Sequence, residues 1–326
     1  MKRTISMLLV AVMLLAFAAC SSGNEITVPD VKTDVDVVAL KGPTGMGMVN
    51  LMEEDASVYN NYNFTLAAAP TEIVGLISNG SADIAACPLN LAATLYKKTQ
   101  GAVQIIAVNT LGTLYILENG NTVTDIASLK GKTIYASGQG ATPEYVLNYL
   151  LEKNGIDKEK DVEIIWKAEH AEVATLMASG GAEICLLPEP NVTAVQLQNA
   201  DTRIALDMTK EWEKVAEGKL AMGCLIATKD YIDNNADSLK AFLKEYKASV
   251  DAVNENTDEI CNLIAEKGIV PKAPVAKKAI PNCNIVCITG NEMKDIAKSN
   301  FDMLFNADPK SVGGELPNES IYFIAE

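Results

Sequence analysis

The chain holds a single histidine, His170, and two tryptophans among 326 residues. It has no CxxC motif and no pairing of cysteine with histidine, so a zinc or other transition-metal centre is not expected. Also missing are a GxSxG elbow, a Cys/His nucleophile pair and a glycine-rich phosphate loop ending in lysine. Covalent and phosphoryl-transfer chemistry therefore has no carrier, and neither an enzyme nor a cofactor is expected. Basic residues are scarce, 27 against 42 acidic, for a net charge of −15. Such a surface repels phosphate backbones, which excludes nucleic acid as a partner. Beyond the N-terminus no apolar run approaches the roughly 20 residues that a membrane span requires.

What is present begins with an address. Lys2 and Arg3 precede an apolar run over 7–15, then Ala18 and Ala19 lead into Cys20-Ser21-Ser22-Gly23. This layout resembles a bacterial lipoprotein signal, with Phe17 where leucine is usual. It implies that residues 1–19 are removed and that the Cys20 thiol is acylated. Residues 20–32 then form a tether, and the protein sits on the extracytoplasmic face of the cell membrane. An ordinary secretory signal with an incidental cysteine is the alternative. The other cysteines are Cys87, Cys185, Cys224, Cys261, Cys283 and Cys287. Their even number permits disulfides, but most lie in apolar strand-like runs, where a thiol behaves as a small hydrophobe.

The chain repeats itself. Residues 62–91 align without a gap on 162–191: Glu72 with Glu172, Leu76 with Leu176, Gly80 with Gly180, Ala82 with Ala182, Ile84 with Ile184 and Pro88 with Pro188. Each copy predicts a short strand, an amphipathic helix, a glycine turn and a buried strand ending at proline. A strand over 35–40 with a helix over 46–54 precedes the first copy. A strand over 133–136 with a helix over 144–154, capped by Thr142 ahead of Pro143, precedes the second. A β-α-β-α-β module used twice predicts two lobes, each a mostly parallel sheet with helices on both faces. Strands over 103–108 and 114–118 lead out of the first lobe, and strands over 203–208 and 222–228 return to it. Helices over 231–254, 258–267 and 292–305 complete the chain. The expected division is 33–117 and 227–326 for the first lobe, with 118–226 for the second.

Several local features together resemble a known family. They are Asn79-Gly80-Ser81-Ala82-Asp83-Ile84, Gly101-Ala102-Val103, Leu129-Lys130-Gly131-Lys132 and Glu189-Pro190. They resemble the NMT1/THI5-like and sulfonate/taurine/nitrate-type periplasmic binding proteins of the type II class. Pro188 stands where that family often has an aromatic. The resemblance implies a two-lobed periplasmic-binding-protein type II fold that captures a small molecule between its lobes and hands it to the permease of an ABC importer. A ligand-sensing lipoprotein for a membrane receptor is the alternative. The family's pyrimidine-precursor enzymes carry a cysteine cluster and an active-site histidine that this chain does not match. A monomer is expected.

In that family ligands sit at strand C-termini and helix N-termini, where unpaired N–H groups and a partial positive charge face outward. This points to Thr44, Gly45 and Met46 in one lobe and to Gly138, Gln139, Gly140, Ala141 and Thr142 in the other. Asn90, Asn109 and Thr110 are further strand-end candidates. Glu189 is an acceptor for a ligand N–H, a solvated loop acid, or a structural partner for a second-lobe amide. His170 reads as a surface cap, with a site role as the alternative, Trp166 and Trp212 read as packing, and Tyr115 near the crossover is left undecided. The helix ends favour an anionic or acceptor group and Glu189 favours a donor. A zwitterion or neutral heterocycle satisfies both, with a sulfonate or carboxylate as the rival.

Overall fold

The computed structural model describes residues 28–29 and 31–324. The expected signal peptide (1–19), the acylated Cys20 and most of the tether lie outside the described residues. Strands β1 (Thr33–Leu40), β2 (Asn60–Ala67), β3 (Ile84–Pro88) and β4 (Val103–Leu111) come first, followed by β5 (Leu114–Glu118). Next are β6 (Thr133–Ser137), β7 (Glu163–Lys167), β8 (Ile184–Pro188) and β9 (Arg203–Asp207), then β10 (Ala221–Thr228) and β11 (Ile285–Ile288). They form two sheets, ordered β11-β4-β10-β3-β1-β2 and β7-β6-β8-β5-β9. In the first, β1 runs parallel to β2 and β3, while β10 is antiparallel to both β3 and β4. In the second, β6 runs parallel to β7 and β8, while β5 is antiparallel to β8 and β9. The duplicated module is thus one strand arrangement built twice.

One expected membership changes. Strand β5 pairs along its whole length with β8 and so belongs to the second sheet, where it also pairs with β9, a strand that the expected division already gives to the second lobe. The first crossing therefore falls at Gly112-Thr113, ahead of β5, and the second between β9 and β10. The boundaries expected at 117/118 and 226/227 fall inside β5 and β10. An antiparallel strand embedded between two parallel-sheet neighbours is as apolar as they are, so its composition does not say which sheet receives it.

Local chemistry explains the element ends. The helix Pro70–Ser78 starts on proline, with Glu72 accepting from the Ala69 amide at 3.1 Å. In place of the helix expected over 46–54 there is a single turn, Pro43–Met46, and a 3₁₀ turn, Val49–Met52. Gly45 and Gly47 break the pattern, and Gly47 lies so close to Tyr246 that a Cβ there would stand 2.6 Å from the ring hydroxyl. The helix Thr142–Lys153 begins at Thr142 itself, with Ala141 in the capping position, so Thr142 is not the cap. The helix expected over 231–254 breaks at Asn235 into Lys229–Asn234 and Ala236–Asn254.

The largest apolar cluster joins both lobes. Ile105, Met293 and Phe301 of the first lobe share it with Ile134, Leu150 and Trp212 beyond the first crossing. Trp212 packs against Tyr149 and donates its ring N–H to the Gly218 carbonyl at 3.0 Å, the packing role expected of it. Cys87 and Cys224 face each other across β3 and β10, with sulfurs 4.0 Å apart. Among the described residues no helix is long and apolar enough to cross a membrane.

Candidate functional site

The strand registers decide which ends face the crossings. β5 begins just after Gly112-Thr113 and pairs Leu114 with Pro188, so β8, and β6 parallel to it, end there. β4 finishes at Leu111, opposite Ala221, while Gly223 of β10 pairs with Pro88, so β3 and β1 end there too. The C-terminal ends of the parallel strands in both lobes therefore converge on the crossings, and the turns 42–46 and 138–142 leave from those ends.

The first turn is braced from beneath. Gly42 has φ 95°, and its carbonyl accepts from the amides of Gly45 at 3.0 Å and Met46 at 3.1 Å. Fully buried Asn109 donates from its side-chain amide to the Thr44 carbonyl at 3.0 Å and accepts from the Thr110 hydroxyl at 3.1 Å. Gly223 lies against this pair: a Cβ there would meet Asn109 Oδ1 at 2.6 Å. Asn109 and Thr110 thus position the turn. Asn90 is half-buried, the second residue of the helix Leu89–Lys98, and Pro88 takes the capping place.

The second turn uses Gly138 at φ 85° and Gly140 at φ 74°. The Ala141 amide donates to the Gly138 carbonyl at 3.1 Å, and the Gly140 amide donates to Glu144 Oε2 at 2.7 Å. The amides of Gly45, Met46, Gly140 and Ala141, expected to face a ligand, are therefore spent inside the turns. Among the described residues the amides of Thr44, Gln139 and Thr142 carry no such bond, and no hydrogen bond joins one turn to the other. Gln139 and Gly140 border a groove of about 920 Å³, bounded by Glu144 and Tyr145 of one lobe and Met303 and Asp308 of the other. The Tyr145 hydroxyl spans it to Asp308 Oδ2 at 3.2 Å, and burial with that carboxylate pushes the phenol up to about 12.

Glu189 is 2% exposed and fully engaged. It accepts from the Thr193 amide and hydroxyl, each at 3.0 Å, and from the Asn282 side-chain amide at 3.2 Å. The Tyr115 hydroxyl donates to the Asn282 carbonyl at 2.9 Å. Asn282 follows the second crossing, so Glu189 and Tyr115 tie the lobes together, and the structural alternative for Glu189 describes its bonds. Burial raises the Glu189 carboxyl above its ordinary 4.5, while the Thr193 and Asn282 bonds oppose the shift. Because the folded state holds that proton more tightly, stability falls as pH rises from 4.5 through the raised value. Glu189→Gln, which keeps an acceptor for Thr193, is expected to remove that fall. Urea denaturation of both proteins between pH 4 and 7 checks it, and parallel curves would disprove it.

Sequence reasoning left Tyr115 undecided and missed Asn282, Tyr246 and Ser137, which carry no motif and are placed only by the fold. His170 is half-buried, with Nδ1 2.6 Å from Ser137 Oγ at the end of β6, and is not the surface cap expected. Among the described residues no group of His, Cys, Asp and Glu is clustered to hold a metal.

Two sheets of this order, bridged by two crossings, define the fold of the two-lobed periplasmic binding proteins. An ABC transporter structure from Parabacteroides distasonis superposes with a TM-score of 0.77, covering 90% of this chain and 100% of that one at 21% identity. The periplasmic aliphatic sulphonate binding protein SsuA of Escherichia coli superposes at 0.71, covering 87% and 96% at 15% identity. The NMT1/THI5 like family matches residues 64–260, more than half of the sequence, and the chain belongs to that family. YtlA of Bacillus subtilis (strain 168), whose name describes a binding protein, is 28% identical over 201 residues, 60% of this chain. The chain spans 58% of the length of that curated relative.

Proposed function

We propose that the protein is an extracytoplasmic solute-binding lipoprotein, a monomer that captures a small molecule between its lobes for an ABC importer. One observation carries this: the duplicated module aims two sets of strand ends and helix starts at each other across two crossings. A relative of the same fold is named for binding aliphatic sulphonate. With Glu189 committed to Thr193 and Asn282, the argument for a cationic ligand group falls away. The unspent amides of Thr44, Gln139 and Thr142 remain, and they suit a ligand with acceptor oxygens.

A thermal-shift screen of sulfonates, carboxylates, amino acids and vitamin precursors tests capture. A ligand at 100 times its dissociation constant stabilises the native state by about 2.7 kcal/mol. Ala141 is half-buried with extended backbone, so leucine fits its conformation while filling the mouth of the turn. Ala141→Leu is expected to abolish the ligand shift and leave apo melting nearly unchanged. A normal shift in that variant would place the ligand elsewhere.

Anchoring is tested separately. Cys20→Ser is expected to release the protein from membranes and to end labelling by palmitate analogues. Continued labelling would rule out acylation at Cys20.

A further inference from the structure

His170 and Ser137 meet at the end of the second sheet that faces the crossings. Ser137 closes β6 and is 1% exposed. Its hydroxyl lies 2.6 Å from Nδ1 of His170, the first residue of the helix His170–Ala178, and has no other hydrogen bond among the described residues. A buried hydroxyl with one acceptor in reach donates to it, so Nδ1 is the acceptor and the neutral ring carries its hydrogen on Nε2. The opposite tautomer would leave the serine hydrogen buried without an acceptor, which is costly. Among the described residues Nε2 has no protein partner.

We propose that His170 donates its Nε2–H to the captured molecule, and that this molecule presents an acceptor oxygen there. The inference rests on the proposed capture between the lobes and names a contact within it. No guanidinium competes for the role, because the chain has two arginines: Arg3, outside the described residues, and Arg203, which is paired with Glu118. The charged groups around the ring are few. Exposed Glu169 precedes it, and Lys167 is paired with Glu172 at 3.2 Å. Of the strands packed against its helix, β6 brings Tyr135, β8 brings Cys185, and β7 brings Glu163 along with Lys167. The helix Asn191–Gln198, also packed there, brings no titratable group.

Burial lowers the His170 pKa, with Glu169 opposing, so the ring is neutral at pH 7. An anion against Nε2–H favours the protonated ring, whereas a neutral acceptor leaves its titration where it was. Anionic ligands are therefore expected to bind more tightly as pH falls between the liganded and free values, by up to about tenfold per unit. Neutral acceptors are expected to bind independently of pH across that range.

The single histidine makes the test direct. The whole chain is labelled with ¹⁵N-histidine, and its one pair of ring nitrogens is followed by NMR with methanesulfonate, acetate or neutral acetamide at concentrations that raise the melting temperature. The expected result is an Nε2–H ring in the free protein and a mixed tautomer in Ser137→Ala. Methanesulfonate or acetate should move the Nε2 signal and raise the ring's pKa. Their affinity should fall about tenfold in His170→Ala and recover partly in His170→Gln, which restores a donor. A hydrogen on Nδ1 in the free protein overturns the proposal. So does thermal stabilisation by any probe with unmoved ring signals, which leaves capture between the lobes standing. No stabilisation by these probes or by the wider screen removes both.

Discussion

Gly45→Val is expected to destabilise the protein by about 3 kcal/mol, whether or not a ligand is present. A Cβ at Gly45 would stand 2.5 Å from the Leu40 carbonyl oxygen and 3.7 Å from Ala39 Cβ. Both contacts belong to β1, in the middle of the first lobe, and a backbone carbonyl cannot swing aside as a side-chain tip does. Gly45 has no positive φ, so backbone strain plays no part; the requirement is close approach. Its amide is bonded to the Gly42 carbonyl, so loss of binding in this variant would report a damaged lobe and not a blocked contact. Chemical denaturation decides the matter. A variant as stable as the parent would mean that the turn does not rest on Leu40.

Gly112→Ala is expected to cost about 2 kcal/mol, and Thr209→Ala is expected to rescue more than half of it. Gly112 lies at the first crossing, and a Cβ there would meet Thr209 Oγ1 at 2.0 Å and Leu220 Cδ2 at 3.1 Å. Thr209 stands beside the second crossing, and its hydroxyl is buried without a hydrogen-bond partner among the described residues. Removing that hydroxyl alone therefore breaks no bond and should change stability little. The four proteins form a double-mutant cycle measured by urea denaturation. Additive effects would show that the two crossings do not press on one another at this point.

The repeat made the fold legible. Matching glycines at 80 and 180 and prolines at 88 and 188 mark the same turn and the same strand end in each lobe, because each answers a local need. Gly80 and Gly180 take φ 74° and 76°, which side chains rarely adopt. Lobe membership was less legible, since β5 and β9 are paired by contacts far along the chain. The site divides in the same way. Glycine-rich turns announced both strand ends, but which amides stay unspent depends on geometry within three or four residues. That Glu144 would take the Gly140 amide follows from no motif. Nor does any pattern tell that Glu189 reaches Asn282, 93 residues away.

The strand order also sets a timetable for synthesis. The second sheet draws on one continuous run, β5 to β9, so it can close as soon as β9 has been made. The first sheet must wait, because β10 lies between β3 and β4 and arrives only after the second lobe is complete. Until then both strands present unpaired edges, and Ala85, Ala86, Ile105 and Ile106, all buried later, face whatever is near. A chain emerging N-terminus first thus finishes its second lobe before its first. The hazard of aggregation lies in the segment made earliest.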